Sequence, residues 1–246
     1  MTLAYFHLPE AAGTSAGGVV VLDGPEGHHA AVVRRLVVGE QLVLTDGKGT
    51  RAHSRVVEVG KGSLRAEVLD VTTAPAEMPR VVVVQAVPKG ERGELAVEML
   101  TEVGVDVIVP WSASRSVARW KGERAAKSLE KWRSAAREAA KQSRRAWFPE
   151  VTPPAGTDEV AARLAGASVR VVLHEAASGP LADVPVPGRG EIVIVVGPEG
   201  GITDEELAAF AQVGAEPLRL GSSVLRSSTA GVAAAAALLA RTPRWR

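Results

Sequence analysis

The run Val193-Ile194-Val195-Val196 ends directly on Gly197-Pro198-Glu199-Gly200-Gly201, and this junction constrains the chain more than any other feature. Four uncharged β-branched residues have no polar side to turn to water, so they form a strand buried on both faces. The Gly-Pro-Glu-Gly-Gly that follows breaks the strand into a tight loop. Thr203 and Glu206 then have the Thr-x-x-Glu spacing of a capping box, which starts a helix over 204–213 with its free N–H groups near the loop. Strand, glycine loop and helix N-terminus in that order build a ligand site at the carboxyl edge of a parallel sheet. On its own such a loop also fits a plain strand-turn-helix connection.

A second loop shifts the balance toward a site. Leu218-Arg219-Leu220-Gly221-Ser222-Ser223-Val224-Leu225-Arg226 joins a short apolar strand to an alanine-rich helix over 231–240. It is too apolar for an ordinary solvated turn, so it needs something to cover.

The chain divides into two parts. Residues 1–72 hold short strand-like runs at Val19–Leu22, Gln41–Thr45, Ser54–Val59 and Leu64–Val71, separated by turns, which predicts a small β-barrel. Residues 73–79 carry two prolines and no periodicity and are expected to be a linker. Over 80–246, buried strands at Val81–Val87, Val105–Val109, Val169–Leu173 and Ile192–Val196 alternate with helices, the pattern of an α/β domain with helices on both faces of a parallel sheet.

Composition narrows the chemistry. Hydrophobic residues make up 46% of the 246, enough for a real core, and no apolar segment approaches the ~20 residues needed to cross a bilayer. The start Met-Thr-Leu-Ala lacks a basic n-region, so the expectation is a soluble cytoplasmic protein. The chain has no cysteine, which excludes disulfides, thiolate metal sites and a cysteine nucleophile. Charge is unevenly spread: the net value is +1, yet 115–145 alone holds 11 Lys or Arg against 3 Glu. Most of that segment has a helical pattern, with Leu129, Trp132, Ala136 and Ala139 as its apolar stripe. Arg124, Lys127, Lys131, Arg137, Lys141, Arg144 and Arg145 are spread around that stripe, as either a solvated face or a phosphate-binding surface.

Taken together, Gly197-Pro198-Glu199-Gly200-Gly201, Leu220-Gly221 through Val224-Leu225-Arg226, and His174-Glu175 after an earlier strand resemble the SPOUT-class RNA methyltransferases, specifically their RsmE group. His29-x-x-Val-Val-Arg34, Gly39-Glu40 and Asp46-Gly47-x-Gly49 resemble that group's N-terminal PUA-like RNA-binding barrel. The resemblance covers nearly the whole chain. It implies a C-terminal α/β domain with a deep trefoil knot, a homodimer, and S-adenosylmethionine-dependent methylation at N3 of a uridine, position 1498, in 16S ribosomal RNA of the small subunit. No metal is implied.

By the same resemblance, Leu173, His174, Glu175, Gly197, Pro198, Glu199, Gly200, Gly201, Leu220, Gly221, Ser222, Val224 and Leu225 are the candidates for cofactor binding. Lys89 and Arg92 match a Lys-x-x-Arg signature at a helix start, where two cations oppose the dipole and so call for an anionic partner. Arg92 and Arg226 are the candidate catalytic charges, with Glu102 as the group that orients one of them. Lys89, Gln142, Arg145, Arg34, His29, Lys127 and Lys131 are candidates for RNA contact. Where many relatives carry a glutamate, this chain has Ser228, so no general base is assigned there.

The chemistry fits such charges. Neutral uracil N3 is a poor nucleophile, and lowering its pKa by one unit is worth ~1.4 kcal/mol, so an arginine at a carbonyl oxygen rivals a formal base. Alignment of methyl and acceptor can save roughly 7–11 kcal/mol more. Two other classes stand beside this one. A ribose 2′-O-methyltransferase of the same superclass is expected to carry a Ser-Leu-Asn-type segment where this chain has Val224-Leu225-Arg226-Ser227. A non-catalytic RNA-binding ribosome-assembly factor would keep the pocket and transfer no methyl group.

Overall fold

The computed structural model describes residues 3–90, 92–118, 120 and 122–245. The chain forms two compact units, one of residues 1–76 with 140–148 and the other of 77–139 with 149–246.

In the N-terminal unit, β1 (Ala4–His7), β2 (Val19–Leu22), β3 (Gln41–Thr45), β4 (Thr50–Val59) and β5 (Leu64–Thr73) form one sheet in the order β1-β3-β4-β5-β2. Its alternating residues Leu42, Leu44, Ala52, Val56, Leu64, Ala66 and Val68 enclose a single core with Phe6 and Leu22. β1 was not foreseen from the sequence; its four residues pair in parallel with β3. The short helix α1 (Gly24–His28) leads into a π-helical turn over His29–Val33. Residues 140–148 count with this unit: Lys141 Nζ lies 2.5 Å from Glu26 Oε1, and Trp147 Nε1 donates to the Ala74 carbonyl at 2.8 Å.

In the C-terminal unit, β6 (Arg80–Ala86), β7 (Val107–Trp111), β8 (Glu150–Val151), β9 (Val169–Leu173), β10 (Glu191–Val196) and β11 (Pro217–Leu218) form an all-parallel sheet ordered β11-β9-β10-β6-β7-β8. One face, carrying Val81, Val83, Ile192, Ile194 and Val196, packs on three helices. These are α2 (Arg92–Val103), α3 (Glu123–Gln142) and α6 (Ser227–Leu239). The other face, with Val82, Val84, Val193 and Val195, packs on α4 (Thr157–Gly166) and α5 (Asp204–Gln212). β10 is therefore buried on both sides, as its uncharged run requires, with Val193, Ile194 and Val195 at 0% exposure. An ordinary doubly wound sheet would set β9 beside β6; here β10 lies between them.

Candidate active site

Thr203 caps α5 as its sequence predicts: the Glu206 N–H donates to Thr203 Oγ1 at 3.2 Å, and the Thr203 N–H donates to Glu206 Oε2 at 3.0 Å. The cap fixes where the β10 loop ends. The loops after β9, β10 and β11 then open at one carboxyl edge of the sheet and enclose a cavity of about 350 Å³ together with the first residues of α2 and α6. That edge is where parallel sheets present ligand sites, and the volume is at the lower end of small-molecule pockets, suited to a nucleoside-sized ligand.

Leu173, His174 and Glu175 come from the first loop, Gly197, Pro198, Glu199 and Gly201 from the second, and Leu220, Gly221, Ser222, Val224 and Leu225 from the third. Sequence reasoning thus named most of the wall. It missed Val196, Ile202, Arg219, Ser223, Ser227 and Ala230, which also line it. Their signal was positional: each sits at the end of a strand, in a loop already singled out, or in the first turn of the helix that follows. Arg92, the first residue of α2, and Arg226, which precedes α6, both reach the cavity.

The wall is largely backbone and aliphatic. Gly221 has φ +74°, and a Cβ there would project into open space, so the loop presents bare main chain to the cavity. His174 holds its place through its N–H, which donates to the Leu218 carbonyl at 3.0 Å. Its ring Nδ1 accepts from the Ala176 N–H at 3.2 Å, which leaves the Nε2–H side for a ligand. Glu199 Oε1 accepts from Ser227 Oγ at 3.5 Å, placing a carboxylate at the start of α6.

Three expectations are corrected. Gly200 does not line the cavity; a Cβ on it would stand 3.0 Å from the Cβ and the carbonyl oxygen of Arg115, so what approaches this glycine is protein. Glu102 is exposed near the C-terminal end of α2, ten residues from Arg92 and therefore about 15 Å along the helix, too far to orient that guanidinium, so of the two arginines it was expected to serve only Arg226 is left. Lys141 is not a phosphate ligand in waiting, because its side chain is 6% exposed and paired with Glu26.

The other candidates are spread. Lys89 is exposed just before α2 and outside the cavity wall. Ser228 is 5% exposed in the first turn of α6, and it too lies outside the wall. Lys127 and Lys131 are exposed on α3; Lys131 faces Glu94 at 4.0 Å. Gln142 and Arg34 are exposed in the N-terminal unit, where Arg145 is half-buried. His29 is half-buried with its ring edge-on to Phe6 at 5.8 Å, a packing role in that core.

Comparison with known proteins agrees with this geometry. The model of an RNA methyltransferase domain matches residues 76–239, and that of an RNA methyltransferase PUA domain matches 22–69. The ribosomal RNA small subunit methyltransferase E of Mycobacterium tuberculosis is 48% identical over 93% of this chain and 89% of its own length. The crystal structure of a ribosomal RNA small subunit methyltransferase E from Neisseria gonorrhoeae bound to S-adenosyl methionine superposes with a TM-score of 0.88 at 30% identity, covering 98% of each chain. A Legionella pneumophila methyltransferase in complex with the bound cofactor SAM gives 0.90 at 30% identity, over 98% of this chain and 99% of that one. The chain belongs to the ribosomal RNA small subunit methyltransferase E family.

Proposed function

We propose that this protein transfers the methyl group of S-adenosylmethionine to N3 of a uridine, position 1498, in 16S ribosomal RNA. The observation that carries the reading is the convergence of three loops on one backbone-lined cavity with Arg92 and Arg226 at its edge. The cavity fits the cofactor in kind. Leu173, Val196, Pro198, Leu220 and Leu225 offer an apolar wall, the open side of Gly221 admits a flat group against main chain, and His174, Glu175 and Glu199 supply polar contacts. When bound, the cofactor supplies a sulfonium-activated methyl group.

The protein's own part is position and field. The Leu220–Leu225 loop and the turn that begins at Pro198 would hold the cofactor between them. Arg92 and Arg226 stabilise the negative charge that grows on the uracil oxygens as N3 loses its proton, which favours the transition state over the neutral ground state. Lys127 and Lys131, with Lys89 nearer the cavity, bind phosphate in sequence-independent fashion, and exposed Arg34 and Gln142 add contacts from the N-terminal unit. The insertion of β10 between β9 and β6 supports the trefoil knot of the SPOUT class, and the resemblance to that class implies a homodimer. No helix among the described residues is long and apolar enough to cross a membrane, as suits a protein that works on ribosomes in the cytoplasm.

Nucleoside mass spectrometry of 16S RNA from a strain lacking the gene tests this. N3-methyluridine should vanish and return on complementation. Its persistence, or loss of a 2′-O-methylated nucleoside instead, would overturn the assignment.

A further inference from the structure

Residues 113–116, just after β7, have no part in the cavity wall, yet they are fastened to the loop that forms that wall and to the helix that follows it. The Ser116 N–H donates to the Ala113 carbonyl at 3.0 Å and closes a tight turn whose ends, Ala113 and Ser116, are buried at 3% and 6% exposure. Of its two central residues, Ser114 reaches the first turn of α5 and Arg115 reaches the β10 loop. The Ser114 N–H donates to Glu206 Oε1 at 2.8 Å, and Arg115 Nη1 donates to the Gly200 carbonyl at 3.3 Å. Arg115 main chain also fills the space where a Gly200 side chain would go.

The Gly200–Gly201 peptide has no Cβ on either side, which makes it the least restricted peptide of the loop. The Gly201 N–H of that same peptide donates to the Pro198 carbonyl at 2.9 Å, so the turn holds the peptide plane by one bond of its own. Arg115 on the Gly200 carbonyl is the second anchor of the same plane, and it comes from outside the loop. On one side of it lie Glu199 and Gly201, both in the cavity wall.

We propose that Arg115 is a positioning residue: from outside the cavity it holds the Pro198–Gly201 turn in the conformation that receives the cofactor. This rests on the reading of the cavity as an S-adenosylmethionine site. Arg115 also lies beside Glu205 and contributes to lowering that carboxyl's pKa, a second tie between the two segments.

The test is calorimetric titration of the full-length protein with S-adenosylmethionine, alongside steady-state kinetics on small ribosomal subunits. Arg115→Ala should raise Kd about fivefold, about 1 kcal/mol as expected of an exposed charged contact. The KM for the cofactor should rise in proportion, with kcat at saturation within about twofold of wild type. Arg115→Lys, which keeps a cationic donor, should restore most of the affinity, whereas a merely structural loss would show as a lowered melting temperature without that rescue. Gly200→Ala attacks the same contact from the other side and should weaken binding comparably. Wild-type affinity in both Arg115→Ala and Gly200→Ala overturns the proposal while the functional reading stands. A wild-type protein that takes up no S-adenosylmethionine overturns both.

Discussion

Glu206→Ala should destabilise the C-terminal unit more than a single capping contact would suggest. The carboxylate is 3% exposed and accepts three bonds: from the Ser114 N–H at 2.8 Å, the Thr203 N–H at 3.0 Å and Thr157 Oγ1 at 3.3 Å. The Thr157 hydroxyl can turn elsewhere, and its oxygen also faces Trp111 Nε1 at 3.4 Å. The two backbone N–H groups cannot. Both bonds are only partly buried, so losing this acceptor costs the pair about 2 kcal/mol in all. Glu206→Gln keeps the shape and one acceptor oxygen but turns an NH₂ toward the other donor, so about 1 kcal/mol is lost. With an m-value of ~2–3 kcal/mol/M, Glu206→Ala should lower the urea midpoint by roughly 0.7–1 M, and Glu206→Gln by about half as much. An alanine variant within about 0.3 M of wild type, or a glutamine variant worse than alanine, would refute the view that this carboxylate joins the β7 turn, the start of α4 and the α5 cap.

Glu205 supplies a pH test: its own backbone N–H, the Thr203 hydroxyl and the Arg115 charge hold its carboxyl below the ordinary value of 4.5. A depressed folded value stabilises above the unfolded value and is lost as pH falls, so Glu205→Gln should be less stable than wild type at pH 7 and the gap should close below about pH 4.5. Gly221→Val forces a β-branched residue to φ +74°, so cofactor titration should show binding lost while circular dichroism stays native. Replacing Lys127 and Lys131 by Ala should make the salt dependence of RNA affinity shallower by about 0.7–0.9 per lost phosphate contact, and a wild-type slope would remove α3 from the RNA surface. Arg226→Ala should lower the single-turnover methyl-transfer rate more than cofactor affinity, with a steeper rise in rate at high pH than wild type; a normal single-turnover rate would make Arg226 a docking residue.

What the sequence disclosed was whatever local chemistry determines. The uncharged run at β10, the Thr203–Glu206 cap and the apolar loop before Arg226 each carry their structural requirement within a few residues, and each was readable. What stayed hidden depends on partners far along the chain. Lys141 looks like one more cation on a basic helix, because its partner Glu26 lies 115 residues away. Periodicity locates β10 but not its neighbours, and only the tertiary pairing sets it between β9 and β6. Glu102 shows the converse: a motif position carried over from relatives cannot overrule the 1.5 Å rise per residue that separates it from Arg92.

Gly200 and Gly221 looked alike in the sequence, two loop glycines each signalling that something approaches the main chain. A missing side chain records that approach without saying whether ligand or protein makes it. The sheet order explains why the answers differ. β11 is an edge strand with one neighbour, and the loop beyond it lines the cavity with no protein atom where a Gly221 Cβ would stand. β10 is an inner strand, so its loop has neighbours on both sides: the cavity toward β9, and the β7 turn with Arg115 beyond β6. One loop can then bound a ligand with one side while the other is held by protein. The flexibility that glycine gives the β10 loop is thus offset by a contact from Arg115, which lies outside the cavity wall, and substitutions there should change cofactor affinity without entering the cavity.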